Sequence, residues 1–330
     1  AFIHEIGHAK EMCRSCHKFP MIINHSEGFC VYCNQDEILG RKLPKTKYLL
    51  FKKGQGDINF GDYGVQLLER VDNQDGYLLQ VWNDAEITNP TLPIQRKWIA
   101  NHVPIGTAEN MKLNEKLKKN DLDPIIKGAP LNFGHLAFMG KGKDKIGYLK
   151  ADVDNLGMLF TIGLVQENEQ EKKHTFSHIL TLSRLLERFF SGGLNQWLEE
   201  KFRLTYTVFS GGDDLFLIGP WEEIIKVAIY IRSQFIKFVA GNPEITLSAG
   251  ILFTKPKYPI TTAAHKAEML LDQAKEERSI SRIERNVNRG RNQVCVSGTI
   301  FEWEDFKRIE SHAVKLAKWW MGEKLTSAFI

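Results

Sequence analysis

Residues 131–300 predict an α+β fold built on a ferredoxin-like split βαβ sheet, and two observations carry that expectation. Short runs rich in β-branched and aromatic residues, bounded by turn signals, alternate with longer stretches of helical period. Their order is β-α-β-β-α-β, followed by an α-β appendage.

The first strand is read at residues 146–154. Its side-chain period of two puts Asp152 and Asp154 on one face and Val153 on the other, and Asn155-Leu156-Gly157 then signals a turn. A helix follows over about 175–201, with Phe176, Ile179, Leu182, Leu186, Phe189 and Phe190 on its apolar face. Two strands, 204–209 and 215–218, enclose Ser210-Gly211-Gly212-Asp213-Asp214. Gly211 and Gly212 can supply the positive φ angles of a two-residue hairpin turn, which puts Asp213 and Asp214 at the tip. A second helix covers 221–239, with Ile224, Ile225, Ala228, Arg232 and Phe235 spaced by three or four. A strand at 246–254, a helix at 260–275 and a strand at 293–296 complete the order.

Two carboxylates held side by side repel unless a cation lies between them or one is protonated. A divalent metal is the usual solution, and Mg²⁺ brings substrate phosphates with it. If the first strand pairs with the hairpin, Asp152 and Asp213 can share one metal, as phosphoryl transfer requires. The alternative is that these acidic groups are turn and cap residues, above all Asp154 and Asn155.

Cys13-x-x-Cys16 and Cys30-x-x-Cys33 have the ligand spacing of a tetrahedral structural Zn²⁺ site. Two disulfides are the alternative, but they suit secreted chains and no signal peptide is visible, so a cytoplasmic location is expected. His17 and His25 read as loop residues, and Cys295 as a small core residue. His4-Glu5-Ile6-Gly7-His8 fits the HExxH zinc-protease pattern. Only three residues precede it, Glu11 and Arg14 stand where the extended form wants Gly and His, and Cys13 crowds it, so it reads as a decoy. No complete phosphate-binding P-loop is present.

The 330 residues, 43% apolar, can bury a substantial core in two or more domains. A formal charge of +4 permits an RNA partner on a local patch without demanding one. No apolar run approaches membrane-spanning length, and no membrane partner is expected. Residues 41–130 look β-rich, with candidate strands at 48–51, 65–68 and 77–82, and 121–130 read as a linker. Residues 306–329 read as helical.

The element order resembles the catalytic palm of GGDEF and class III nucleotidyl cyclases, itself similar to polymerase palms. Ala267-x-x-x-Leu271-x-x-Ala274-Lys275 and Gly290-Arg291-Asn292-x-Val294 are similar to signatures of that superfamily. More narrowly, residues 149–157 (LKADVDNLG), the Ser-Gly-Gly-Asp-Asp run, the helix with Ser183-Arg184-Leu185-Leu186-Glu187-Arg188-Phe189-Phe190, and the four-cysteine module resemble one family. That family is the large palm-domain subunit of type III CRISPR effector complexes, the cyclic oligoadenylate synthase.

The resemblance implies roles position by position. Asp152 and Asp213, with the backbone carbonyl of Val153, would hold catalytic Mg or Mn, and Asp214 completes the acidic pair. Gly211 and Gly212 would line the nucleotide, Lys275 and Arg291 would hold triphosphate oxygens, and Ser183 would touch an adenine edge. One departure is a stretch with Arg278, Arg282, Arg285 and Arg289 between Lys275 and Gly290, read either as a solvated loop or as an RNA or phosphate contact. The implied domains are a zinc module at 1–40, a β-rich linker domain at 41–130, a GGDD palm at 131–300 and the start of a C-terminal helical domain at 301–330. The rest of that family's subunit, a nuclease domain and first palm before residue 1 and most of the helical domain after residue 330, would lie outside this sequence.

The expected activity is metal-dependent synthesis of 3′–5′ cyclic oligoadenylates from ATP. The expected partners are guide RNA, target RNA, and the neighbouring RNA-capping and small subunits of the complex. Two alternatives stay open: another cyclase making cyclic dinucleotides, and a nucleotide-binding scaffold without turnover.

Overall fold

The computed structural model describes residues 11–23, 26–71, 76–82, 95–160, 176–285, 287 and 290–322. The HExxH run, His25 and Arg289 lie outside them. The chain divides into two compact units, residues 1–97 and 98–330.

The first unit opens on two cysteine knuckles. Cys13 N–H donates to the Phe19 carbonyl at 2.8 Å, Arg14 N–H to Gly28 and Ile22 N–H to Phe29, so the second knuckle folds back on the first. Cys30 then caps helix α1 (Val31–Lys42), its sulfur accepting from Cys33 N–H. Strands β1 (Tyr48–Lys53), β2 (Ile58–Phe60), β3 (Tyr63–Leu68), β4 (Tyr77–Trp82) and β5 (Gln95–Trp98) form one sheet in the order β2-β3-β1-β4-β5. The three strands expected here are β1, β3 and β4.

The second unit holds the split βαβ sheet. In order come α2 (Asn114–Lys119), α3 (Phe133–Met139), β6 (Ile146–Val153), the single turn α4 (Leu156–Met158), α5 (Phe176–Glu187), a π-helical turn (Arg188–Gly193) and α6 (Leu194–Lys201). The hairpin strands are β7 (Tyr206–Gly211) and β8 (Asp214–Pro220), followed by α7 (Trp221–Phe238), β9 (Leu247–Thr254) and α8 (Ile260–Glu276). Last come α9 (Ile280–Glu284), β10 (Gln293–Val296), β11 (Thr299–Glu302) and α10 (Trp303–Met321). The sheet order is β11-β10-β9-β6-β8-β7, with β6 antiparallel to both neighbours and β10 parallel to β9. Its four-strand core, β9-β6-β8-β7, is the ferredoxin-like order.

The alternation of β6 divides two cores. Leu149, Ala151 and Val153 pack with Phe189, Phe190, Leu194, Ile231 and Phe235 from the α5–α7 side. Ile146 and Tyr148 face the other way, onto Ala263 and Ala267 of α8. Leu117, Ile125 and Leu131 join that second core, so the largely exposed stretch read as a linker is anchored through Ile125, and residues 98–130 belong to the sheet unit.

The long helix expected at 175–201 is interrupted. The π turn at Arg188–Gly193 is tied to β7: Ser210 Oγ donates to the Phe190 carbonyl at 2.6 Å and Ser191 Oγ to the Ser210 carbonyl at 3.2 Å. Phe176, expected on the apolar face, is exposed, whereas Leu186, Phe189 and Phe190 are buried.

Candidate active site

Three backbone relationships converge the acidic residues. Asp152, near the end of β6, is the register partner of Asp214, the first residue of β8, so both side chains leave the same face of the sheet. The hairpin turn lies one residue later than expected: Gly211 pairs with Asp214, leaving Gly212 and Asp213 as the two central residues. Gly212 alone takes the left-handed conformation (φ +65°), the pattern of a type II′ turn, while Gly211 belongs to the strand. The turn is docked on β6, where Val153 N–H donates to the Asp213 carbonyl at 3.0 Å.

The charges around the pair come from two directions. Lys150 lies two residues before Asp152 on the same face; it pairs with Glu268 of α8 and sits 5.4 Å over the Phe216 ring. Lys275, seven residues after Glu268 on α8, pairs with Asp152. Burial pushes the Asp152 carboxyl up, Asp213 and Asp154 adding to it against the Lys275 ammonium. Burial likewise pushes Asp214 up, helped by Asp213, Asp152 and Glu268 and opposed by Lys150. Carboxylates destabilised in this way favour either a proton or a cation.

Asp154 has a different task. It is buried and accepts from Thr246 Oγ1 at 2.7 Å, Ser248 Oγ at 2.8 Å and Asn292 N–H at 3.0 Å, so it ties β6 to β9 and to the loop before β10. Asn155 is left-handed (φ +59°) and its side-chain oxygen accepts from Arg291. Asn155 is thus the turn and cap residue of the alternative reading, whereas Asp154 is a tether between segments.

Gly290 and Arg291 meet the C-terminus of α8 backbone to backbone. A Cβ at Gly290 would lie 2.3 Å from the Lys275 carbonyl, so only glycine fits. Arg291 N–H donates to the Ala274 carbonyl at 3.0 Å, satisfying one of the helix's orphan acceptors. Lys275, Arg291, Asn155 and Asp152 are thereby linked at one end of the sheet. Ser183 is exposed on α5. Of the arginine-rich stretch, Arg278 is exposed and Arg285 pairs with Glu302 at 2.6 Å, but Arg282 is buried, which neither reading of that stretch foresaw.

In the first unit the sulfurs of Cys13, Cys16, Cys30 and Cys33 all lie within 4.8 Å of one another, with Cys16 and Cys30 3.8 Å apart. Zn–S bonds of about 2.3 Å at tetrahedral angles put sulfurs roughly 3.8 Å apart, so the set fits zinc. Burial opposes it, yet the backbone N–H groups of Cys16, Cys30 and Ser15 hold the Cys13 thiol down at about 6. Against a hydrogen bond from Ser15, burial and the three other thiols push Cys33 up to about 12. Four sulfurs so close cannot all ionise without a cation.

Residues 145–284 match the family model for Cas10/Cmr2, second palm domain. Over those residues the chain is similar to a Cas10/Cmr2 palm. The Cas10/Csm1 protein of Methanocaldococcus jannaschii, named a CRISPR system single-strand-specific deoxyribonuclease of subtype III-A, is 41% identical over 150 residues, 42% of this chain and 18% of that one. The Enterococcus italicus protein of the same name is 32% identical over 207 residues, 62% of this chain and 25% of its own. The chain thus spans a quarter or less of these two relatives.

Among solved structures, the apo Csm1–Csm4 cassette superposes with a TM-score of 0.64 at 22% identity, over 84% of this chain and 37% of that one. The cassette with one ATP gives 0.60 at 24% identity, over 83% and 37%. The cassette with cA3 gives 0.60 at 23% identity, over 84% and 37%. At these identities the likeness is one of fold.

Two side chains of this palm-like sheet escaped the sequence reading although the signal was present. Lys150 is fixed by strand period beside Asp152, and Glu268 by two helical turns beside Lys275. Arg282 carried no such signal, because its partners come from the far side of a loop.

Proposed function

We propose that this Cas10-type palm is a metal-dependent nucleotidyltransferase that joins ATP through 3′–5′ bonds into cyclic oligoadenylates, within an RNA-guided type III CRISPR effector activated by target RNA. The observation that carries it is the register of Asp152 against Asp214, with the Asp213 turn docked on Val153 N–H. Support for the substrate comes from structures of the same fold that hold ATP or cA3. Their pairing with Csm4 supports a subunit partner.

The acidic end fits a hard divalent cation: Asp152 and Asp214 are held above their ordinary range by burial and by neighbouring carboxylates, Asp213 beside both. Asp152, Asp213, Asp214 and the Val153 carbonyl would hold Mg or Mn. Bound there, the metal would neutralise phosphate charge and favour the 3′-alkoxide. Lys275 pairs with Asp152 in this structure; its ammonium is free to turn to triphosphate oxygens once that carboxylate has another cation. Arg291, held by Asn155, offers a planar fork to the same phosphates. Ser183 is assigned to an adenine edge, and Gly211 and Gly212, which carry no side chains, would line the nucleotide. The four cysteines would hold one structural Zn²⁺ that fastens a segment too small to make its own core.

Incubating the activated complex with ATP and Mg²⁺ or Mn²⁺ tests this reading by product analysis. Cyclic oligoadenylates lost in Asp213→Ala/Asp214→Ala support it, and cyclic products from GTP alone redirect it to another cyclase. Nucleotide binding without pyrophosphate release favours a scaffold.

A further inference from the structure

The loop that presents Arg291 is conformationally costly and held from behind. Arg291 (φ +64°) and Asn292 (φ +52°) are successive left-handed residues without being glycine. Such a backbone persists only where its surroundings over-determine it. Asp154 accepts from the Asn292 N–H, and Arg232 donates to the Asn292 side-chain oxygen at 2.6 Å. A further hold, beside the Arg291 N–H bond to the Ala274 carbonyl, is Arg282. Its Nη1 donates to the Gly290 carbonyl at 3.0 Å and to the Arg291 carbonyl at 2.7 Å, while Nε donates to Glu302 at 2.7 Å. The residue is buried and α9 carries it beneath the loop, so its guanidinium cannot reach out to solvent or to a ligand.

We infer that Arg282 is a positioning residue for nucleotide binding: it fixes the Gly290–Asn292 backbone and so places the Arg291 guanidinium beside Asn155, where it can meet a triphosphate. This rests on the assignment of Arg291 to triphosphate oxygens made above. Planarity is essential to the task. One guanidinium spans a carboxylate and two carbonyls at fixed angles, whereas a lysine ammonium on the same stem keeps the charge and loses the fork.

The test is equilibrium binding of AMPPNP with Mg²⁺ to the full chain, wild type against Arg282→Lys, Arg291→Ala and the double variant, with a thermal melt of each. Arg282→Lys is expected to weaken binding about tenfold, the worth of one charge-assisted hydrogen bond. Combined with Arg291→Ala it should add nothing, because both changes remove the same contact. Unchanged affinity in folded Arg282→Lys overturns the inference, as do losses that multiply in the double variant. If Arg282→Lys does not fold, Glu302→Gln, which releases the Nε side of the clamp, is read against the same outcomes. Absence of AMPPNP binding by the wild type would instead contradict the proposed function, so the two failures are distinguishable.

Discussion

Asp152 and Asp214 stand opposite one another on adjacent antiparallel strands, Cα partner to Cα partner, where β6 meets β8. Their side chains share one face of the sheet, and the Asp213 turn is bonded back to Val153 next door. Backbone pairing therefore brings the carboxylates together.

The first prediction concerns pH. Asp152 and Asp214 both titrate above their ordinary 3.8 when folded, so the folded state holds protons that the unfolded chain releases. Their contribution to stability is full below pH 3.8 and is lost as pH rises through the raised folded-state values. Urea unfolding in chelator across pH 4 to 7 should show Asp214→Asn gaining on wild type as pH rises, and Mg²⁺ should narrow that gap. A constant difference between the two curves would contradict this.

Gly212 tests the turn assignment. Its left-handed backbone leaves open space where a Cβ would go, so Gly212→Ala should cost about 1 kcal/mol through conformation alone. Gly211 lies in the strand, and a Cβ there meets only Ser191 Oγ at 3.8 Å, so Gly211→Ala should cost less. Denaturant unfolding of the two variants measures the difference, and the reverse order would return the turn to Gly211-Gly212.

Much of this arrangement was legible in the sequence. Helix α7 ends one residue short of the predicted 239, α8 one residue beyond the predicted 275, and β6 runs over the predicted strand to Val153. These elements have strong periodicity, α7 burying one face and β6 alternating strictly between two cores. The π turn was not legible as such, because it depends on hydrogen bonds to Ser210, about twenty residues away in the chain. Its local trace is only Gly192-Gly193. The turn register failed by one residue because two consecutive glycines satisfy the local signal equally, and pairing with β6 chooses between them. Ile125 was missed in a stretch whose proline and charges look like a linker, since its burial depends on Leu136 and Tyr148.

Asp154 separates a tether from a metal ligand. Asp154→Ala removes the acceptor of three hydrogen bonds, two of them from buried hydroxyls, and should destabilise the chain by about 3 kcal/mol. Differential scanning calorimetry checks this. An Asp154→Ala variant that melts with wild type yet loses Mg²⁺ affinity would make Asp154 a ligand instead.

Zinc removal tests the cysteine module. Elemental analysis should find one zinc per chain, and Cys16→Ser should lower that occupancy. Chelation should release amide protection across residues 11–42 in hydrogen exchange while β6, β8 and β9 stay protected. Full protection of the module after complete metal loss would contradict a zinc-dependent fold.

Mass spectrometry of the products formed from ATP and Mg²⁺ or Mn²⁺ by the complex bound to target RNA is the most direct test. Cyclic oligoadenylates from wild type, absent in a folded Asp213→Ala/Asp214→Ala variant, are the predicted result. Equal product from that variant would remove the acidic turn from the chemistry, and no product from the activated wild-type complex would leave a nucleotide-binding scaffold.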